Sequence, residues 1–166
     1  GAVLTSDRNG NQNSAYFFDG SDAWIETPTS ASIPVGTASR TLSLWVKSND
    51  GIRNGHSEHI VNWGSTNISQ AFGLGIGPIN PAQWTGYAHG DNIDLYTQSL
   101  ISTDWTFVVV AYEAGKMTVY INGVKQAEKA MDLATTPGGN ITMGSRMDRW
   151  SVSWFDGIID DVGVWN

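Results

Sequence analysis

Residues 105–129 read WTFVVVAYEAGKMTVYINGVKQAEK. The first nine, from Trp105 to Glu113, are apolar at odd and even positions alike. That is the pattern of a strand central in its sheet and buried on both faces. From Lys116 the pattern changes: Met117, Val119 and Ile121 alternate with more polar neighbours, and Asn122-Gly123 follows. An Asn-Gly pair suits a two-residue type I′ turn, whose central residues both take positive φ. The stretch therefore predicts a central strand running into a β-hairpin.

The same period of two extends outward in both directions. In TLSLWVKS (41–48), Leu42, Leu44 and Val46 share one face, and Thr41, Ser43, Trp45 and Lys47 the other. In FGLGIG (72–77), Phe72, Leu74 and Ile76 face one way and three glycines the other. Either another element packs closely on those glycines or a groove is left open there. In IIDDVGVWN (158–166), simple alternation puts Asp160, Val162 and Val164 on one face. No segment of helical length carries a 3.6-residue period, and 19 glycines punctuate the chain. Many short antiparallel strands in a sandwich or barrel follow. Irregular loops are expected at 49–58, 78–83 and 147–154. The 166 residues suit one domain, 1–166, with a sizeable core. Its abrupt ends read as those of a module cut from a longer protein.

A net charge of −7 disfavours phosphate backbones and anionic membrane surfaces, so no nucleic acid is expected as partner. The chain has no cysteine, which excludes thiolate metal sites and thiol catalysis. No apolar run reaches the ~18 residues of a membrane-spanning helix.

Four motifs come in a telling order: NSAYFFDGSDAWIETP (13–28), TLSLWVK (41–47), WTFVVVAYEAGKMTVYINGVK (105–125) and GIIDDVGVWN (157–166). Together they resemble laminin G-like domains of the concanavalin A-like lectin/glucanase superfamily. The opening DRNGNQNSAYFFDG (7–20) resembles the bacterial type. The resemblance spans roughly residues 5 to 166. It implies an all-β jelly-roll sandwich of two curved antiparallel sheets. It also implies a module of secreted or cell-surface proteins.

The turn Asp19-Gly20-Ser21-Asp22 has two readings. It is a solvated hairpin turn, with Asp160 satisfied by backbone N–H groups, or it is half of a cation site. Hard cations take several oxygens at ~2.3–2.6 Å. Asp160, placed toward the core by alternation, needs a partner if ionised. The resemblance implies calcium between the early turn and the first Asp of the last strand. Asp160 would then ligate through its side chain, Asp19 and Asp22 through side chain or carbonyl, and Gly20 or Ser21 through carbonyls. Asp7, Asn9 and Asn11 have alternate-residue spacing, but the glycine is misplaced for a calcium loop, so 7–13 reads as a turn-rich loop.

A hydrolase reading fails on the acids. Glycoside hydrolysis needs two carboxyls ~5–9.5 Å apart. Glu26, Glu58, Glu113 and Glu128 are isolated, and the E-x-D-x-x-E strand of glucanase relatives is missing. His56 and His59 lie in a Gly/Asn-rich segment and read as a solvated loop.

Eight tryptophans are many for this length. Indoles pack in cores and also stack on the apolar faces of sugar rings. Trp24, Trp105 and Trp165 fall in strand patterns and read as core, while Trp45 is placed on the concave surface. The aromatic and polar residues near loops are candidate ligand contacts: Trp84, Tyr87, His89, Arg149 and Trp150. The expected function is a non-catalytic, calcium-binding module for glycan or cell-surface polysaccharide. The alternative is a structural or accessory domain, stabilised by calcium and packed on neighbouring domains of its parent.

Overall fold

The computed structural model describes residues 1–28, 30–49, 56–78, 82–90 and 92–166. Among these residues thirteen strands build two antiparallel sheets, and there is no helix, hence none able to cross a membrane. The strands are β1 (Val3–Thr5), β2 (Ala15–Asp19), β3 (Ile25–Glu26), β4 (Arg40–Ser48), β5 (Glu58–Gly64), β6 (Ala71–Ile76), β7 (Gln83–Tyr87), β8 (Leu95–Leu100), β9 (Thr106–Glu113), β10 (Lys116–Ile121), β11 (Val124–Ala130), β12 (Thr142–Met143) and β13 (Asp156–Trp165). One sheet has the order β1-β2-β13-β4-β9-β10-β11, the other β3-β12-β5-β6-β7-β8. The result is the expected jelly-roll sandwich.

Alternation decides what lies between the sheets. Leu42, Leu44 and Val46 of β4 point inward with Val108 and Val110 of β9 and Met117 and Val119 of β10. They meet Val61 and Trp63 of β5, Phe72, Leu74 and Ile76 of β6, and Trp84 of β7. All of these are essentially fully buried, each side chain gaining about 1.5–3 kcal/mol from leaving water. The hairpin forms as predicted: Asn122 and Gly123 have φ of 49° and 81°, and Ile121 pairs with Val124. Strand β9 is central, between β4 and β10, but only one of its faces is fully buried. Phe107 and Val109 on its other face are half-buried, because among the described residues no further sheet covers that side.

Two expectations about β13 need correction. Asp161 takes φ +49°, and the register with β4 jumps between Asp160 and Gly163. The bulge reverses the alternation. Asp160 pairs with Trp45 on the outer face, away from Val164, which pairs with core Leu42. Trp165 is likewise turned outward, 61% exposed, instead of packing in the core. Trp24 and Trp105 are half-buried. Trp45 lies on the outer face of the seven-stranded sheet, against Phe107. The expected loop at 49–58 falls mainly on residues 50–55, and that at 78–83 on residues 79–81, outside those described. His59 is not in a loop at all but in β5, 3% exposed.

Candidate functional site

The register of the six-stranded sheet collects one set of side chains on its outer face. Asn62 pairs with Thr142 and Gly73, Gly73 with Tyr87, His59 with Gly75, and Gly75 with Thr85. Glu26 pairs with Thr142 and extends the face across β12 to β3. The glycines do not leave a groove. A Cβ on Gly73 would lie 2.1 Å from the Val61 carbonyl oxygen, and one on Gly75 would lie 2.6 Å from that of Glu58. Neighbouring backbone occupies that space.

The segment 144–155 closes over this face. Its backbone is held by the sheet at several points. Gly144 N–H donates to Ile60 O (2.8 Å), and Asn62 Nδ2 donates to Ser145 O (2.8 Å). Met147 N–H donates to Asn62 Oδ1 (3.0 Å), and His59 N–H donates to Ser153 O (3.3 Å). One buried side-chain amide thus fixes both directions of the loop, and Asn62 has no exposure. Beneath lie His59 and Tyr87, rings edge to face at 4.3 Å. Among the described residues His59 Nδ1 has no hydrogen-bond partner, and burial, with Arg146 and His89 nearby, pushes this imidazole down to about 3. Tyr87 Oη lies 2.5 Å from His89 Nδ1, and burial raises the phenol far above its ordinary value.

The outer surface of the same segment carries two similar constructions. Arg146 donates from Nε and Nη2 to the two oxygens of Asp148, both at 2.7 Å, and lies 4.5 Å over the Trp150 ring. Arg149 donates from Nη2 to Glu26 Oε2 at 2.7 Å and lies 3.9 Å over the Trp24 ring. Arg149 has φ +56°, an uncommon backbone state for a long side chain, held here by those two contacts. The Arg146 bonds hold the Asp148 carboxyl below its ordinary range. Trp150 stays 49% exposed. Beside these residues opens a cleft of about 410 Å³, lined by Glu26, Ser65, Thr66, Asn140, Thr142 and Asp148 among others. Carboxylates accept hydrogen bonds, hydroxyls and amides do both, and an indole face offers apolar contact. Such a set offers hydrogen-bond donors, acceptors and an apolar face together.

The candidate ligand residues divide three ways. Arg149 bonds the lining residue Glu26, and the Trp150 backbone N–H donates to the lining residue Asp148 (3.3 Å), so both adjoin the cleft wall without lining it. Tyr87 and His89 bond to each other, with Tyr87 buried under the segment. Trp84 is corrected to core: it pairs with Ile76 on the inner face and is 1% exposed. Sequence reasoning missed Glu26 and Asp148. Only Asp148 had a local signal, in the alternation Arg146-x-Asp148 beside Arg149.

The turn and Asp160 do not converge. Asp19 Oδ1 accepts from the backbone N–H groups of Ser21 (2.9 Å), Asp22 (3.1 Å) and Ala23 (3.1 Å). Those bonds hold this carboxyl far below the ordinary range. Gly20, at φ +71°, donates to Phe155 O, and Asp22 is exposed. Asp19 pairs with Asp156, so Asp160 stands four residues along the ladder, about 13 Å away. Ligands of one calcium ion lie ~2.3–2.6 Å from it, so these two residues do not fit the same ion. Asp160 instead accepts from Arg8 Nη1 at 2.7 Å. Among the described residues no group of three or more His, Cys, Asp or Glu could hold a metal ion. The loop at 7–13 is a turn organised by Asp7, which accepts from the N–H groups of Asn9 and Asn11 at 2.8 Å each.

Solved structures share this fold. Domain 4 of AbnA, a GH43 extracellular arabinanase from Geobacillus stearothermophilus in complex with arabinotriose, is 18% identical with a TM-score of 0.68, over 99% of this chain and 74% of that one. Mouse laminin α1 domains LG4-5 are 10% identical with a TM-score of 0.65, over 91% of this chain and 40% of that one. The CBM40 of Ruminococcus gnavus IT-sialidase, bound to α2,3-sialyllactose, is 14% identical with a TM-score of 0.57, over 87% and 89%. None of the curated protein sequences matches this one. The family model of the laminin G type within the concanavalin A-like lectin/glucanases superfamily matches residues 19–166, and the chain belongs to that family.

Proposed function

We propose that this chain is a non-catalytic carbohydrate-binding module of a secreted or surface protein, taking its glycan in the cleft beside Trp150. The observation that carries this reading is a cleft lined by hydroxyl, amide and carboxylate groups, with the half-exposed Trp150 two residues from the wall residue Asp148 and stacked on Arg146, which bonds that carboxylate. Sugar rings present apolar C–H faces for the indole and hydroxyls for the polar wall. Two domains of the same fold, the arabinanase domain and the CBM40, were solved holding oligosaccharides. Against hydrolysis stands the chemistry of the acids. A general acid needs a raised pKa, whereas Asp148 is held low by Arg146, and Glu26 is tied to Arg149. Calcium has no part in this reading. A glycan array followed by calorimetry tests it: saturable binding is expected for the native chain and none for Trp150→Ala, with unchanged unfolding temperature. An array without hits would remove the proposal.

A second reading, an accessory domain packed on a neighbour, draws support from the outer face of the seven-stranded sheet. Trp165 is 61% exposed on that face, which also carries half-buried Trp45 and Phe107. Co-expression with the flanking domains and protection of the Trp165 indole from oxidation would favour it.

A further inference from the structure

We infer that the cleft selects neutral glycans and rejects anionic ones. This rests on the glycan reading above and adds the charge class of the ligand. The charged residues lining the cleft, among those described, are Glu26 and Asp148, both carboxylates. Among the described residues no lysine or arginine lines it. The two arginines close by are already bonded to those same carboxylates. Arg146 gives Nε and Nη2 to Asp148, and Arg149 gives Nη2 to Glu26. Each guanidinium also lies over an indole, Arg146 on Trp150 and Arg149 on Trp24. Turning either toward a ligand would break an ion pair and a cation–π contact together.

The consequence for recognition follows from which member of each ion pair lines the cleft. A hydroxyl donates to a carboxylate without bringing charge into the cleft. A uronate or sialate carboxylate meets the two carboxylates on the wall, while among the described residues the arginines that balance them are committed to those bonds and do not line the cleft. Like-charge juxtaposition discriminates strongly at an interface. The chain's overall charge of −7 acts in the same direction at longer range.

Matched pairs of probes test this in the whole chain. They are methyl-esterified and free trigalacturonate, lactose and 3′-sialyllactose, and xylotriose with and without a uronic acid branch. Calorimetry at low and high salt is the readout. The neutral member of a binding pair is expected to bind about tenfold or more tighter than the anionic one. Salt should narrow that ratio, because it screens the repulsion. Glu26→Gln removes one carboxylate and frees Arg149, and should narrow it further. Unchanged melting of that variant guards against misfolding. If the anionic member binds equally well or better, in a manner lost with Trp150→Ala, neutral selection is overturned while the glycan site stands. If no member of any pair binds, the glycan reading falls and this inference with it.

Discussion

Arg8 meets the carboxylate of Asp160 at 2.7 Å across 152 positions of sequence. The same Nη1 donates to Asp161 at 2.7 Å, and the guanidinium lies 4.9 Å over Trp45. The Asp160 side chain is only 4% exposed, so its charge depends on this partner. Asp160→Ala is therefore expected to lower the unfolding temperature by several degrees, equally in EDTA and in calcium. Arg8→Ala should lose a similar amount, and the double variant less than the sum. A calcium-induced rise in the native chain that Asp160→Ala abolishes would restore the metal reading.

Arg40 is buried, and among the described residues no carboxylate pairs with it. It donates to the carbonyls of Pro34 (3.2 Å), Gly36 (2.6 Å) and Ala38 (2.9 Å), and lies 5.3 Å from the Phe72 ring centre and 5.2 Å from that of Tyr112. Arg40→Ala leaves those carbonyls without this donor and opens a cavity, a loss of about 3 kcal/mol or more. Arg40→Lys should recover little, since an ammonium cannot reproduce three planar bonds and two stacked faces. Urea unfolding of both variants measures this, and full recovery by lysine would refute it.

His59 makes stability depend on acid. Folded, it stays neutral down to about 3, while the unfolded imidazole protonates near 6.5. Between those values the unfolded chain binds the extra proton, so stability falls as pH falls. The slope reaches about 1.4 kcal/mol per pH unit. Above the unfolded value the contribution is complete. His59→Gln should flatten the decline of the urea midpoint between neutral and moderately acidic pH, and an identical slope in both proteins would refute the assignment.

Trp84 and Trp150 separate packing from recognition. Trp84→Ala should cost about 3–5 kcal/mol, because the side chain is core and 1% exposed. Trp150→Ala should leave stability nearly unchanged and abolish glycan binding. Thermal melts and calorimetry on the two variants give a crossed pattern. Loss of stability without loss of binding at Trp150 would put the site elsewhere.

Much of the fold was legible because alternation maps directly onto the sheets. Leu42, Leu44 and Val46 face the core as their spacing predicts, and Asn122-Gly123 turns the hairpin. Legibility stopped where one backbone angle breaks the period. The positive φ of Asp161 reverses the alternation after Asp160 and turns Trp165 outward, and nothing in IIDDVGVWN shows it. The site was half legible. Arg149 and Trp150 are marked by their loop composition. Glu26 pairs with Thr142 and bonds Arg149, residues more than a hundred positions away, and no local pattern encodes such a meeting. Trp84 and Tyr87 look alike in sequence, but their parity on β7 sends one into the core and the other under the loop.

The place of β13 has a consequence for how the molecule is made. It lies between β2 and β4, and its contacts with β4 are the backbone of the seven-stranded sheet. During synthesis, β2 and β4 emerge early and must wait, with open edges, for a strand that leaves the ribosome more than a hundred residues later. Such long-range pairing folds slowly and leaves strand edges exposed to wrong partners. Truncation before Asp156 should yield aggregation-prone chains, while the hairpin of β10 and β11 can close on its own neighbours long before.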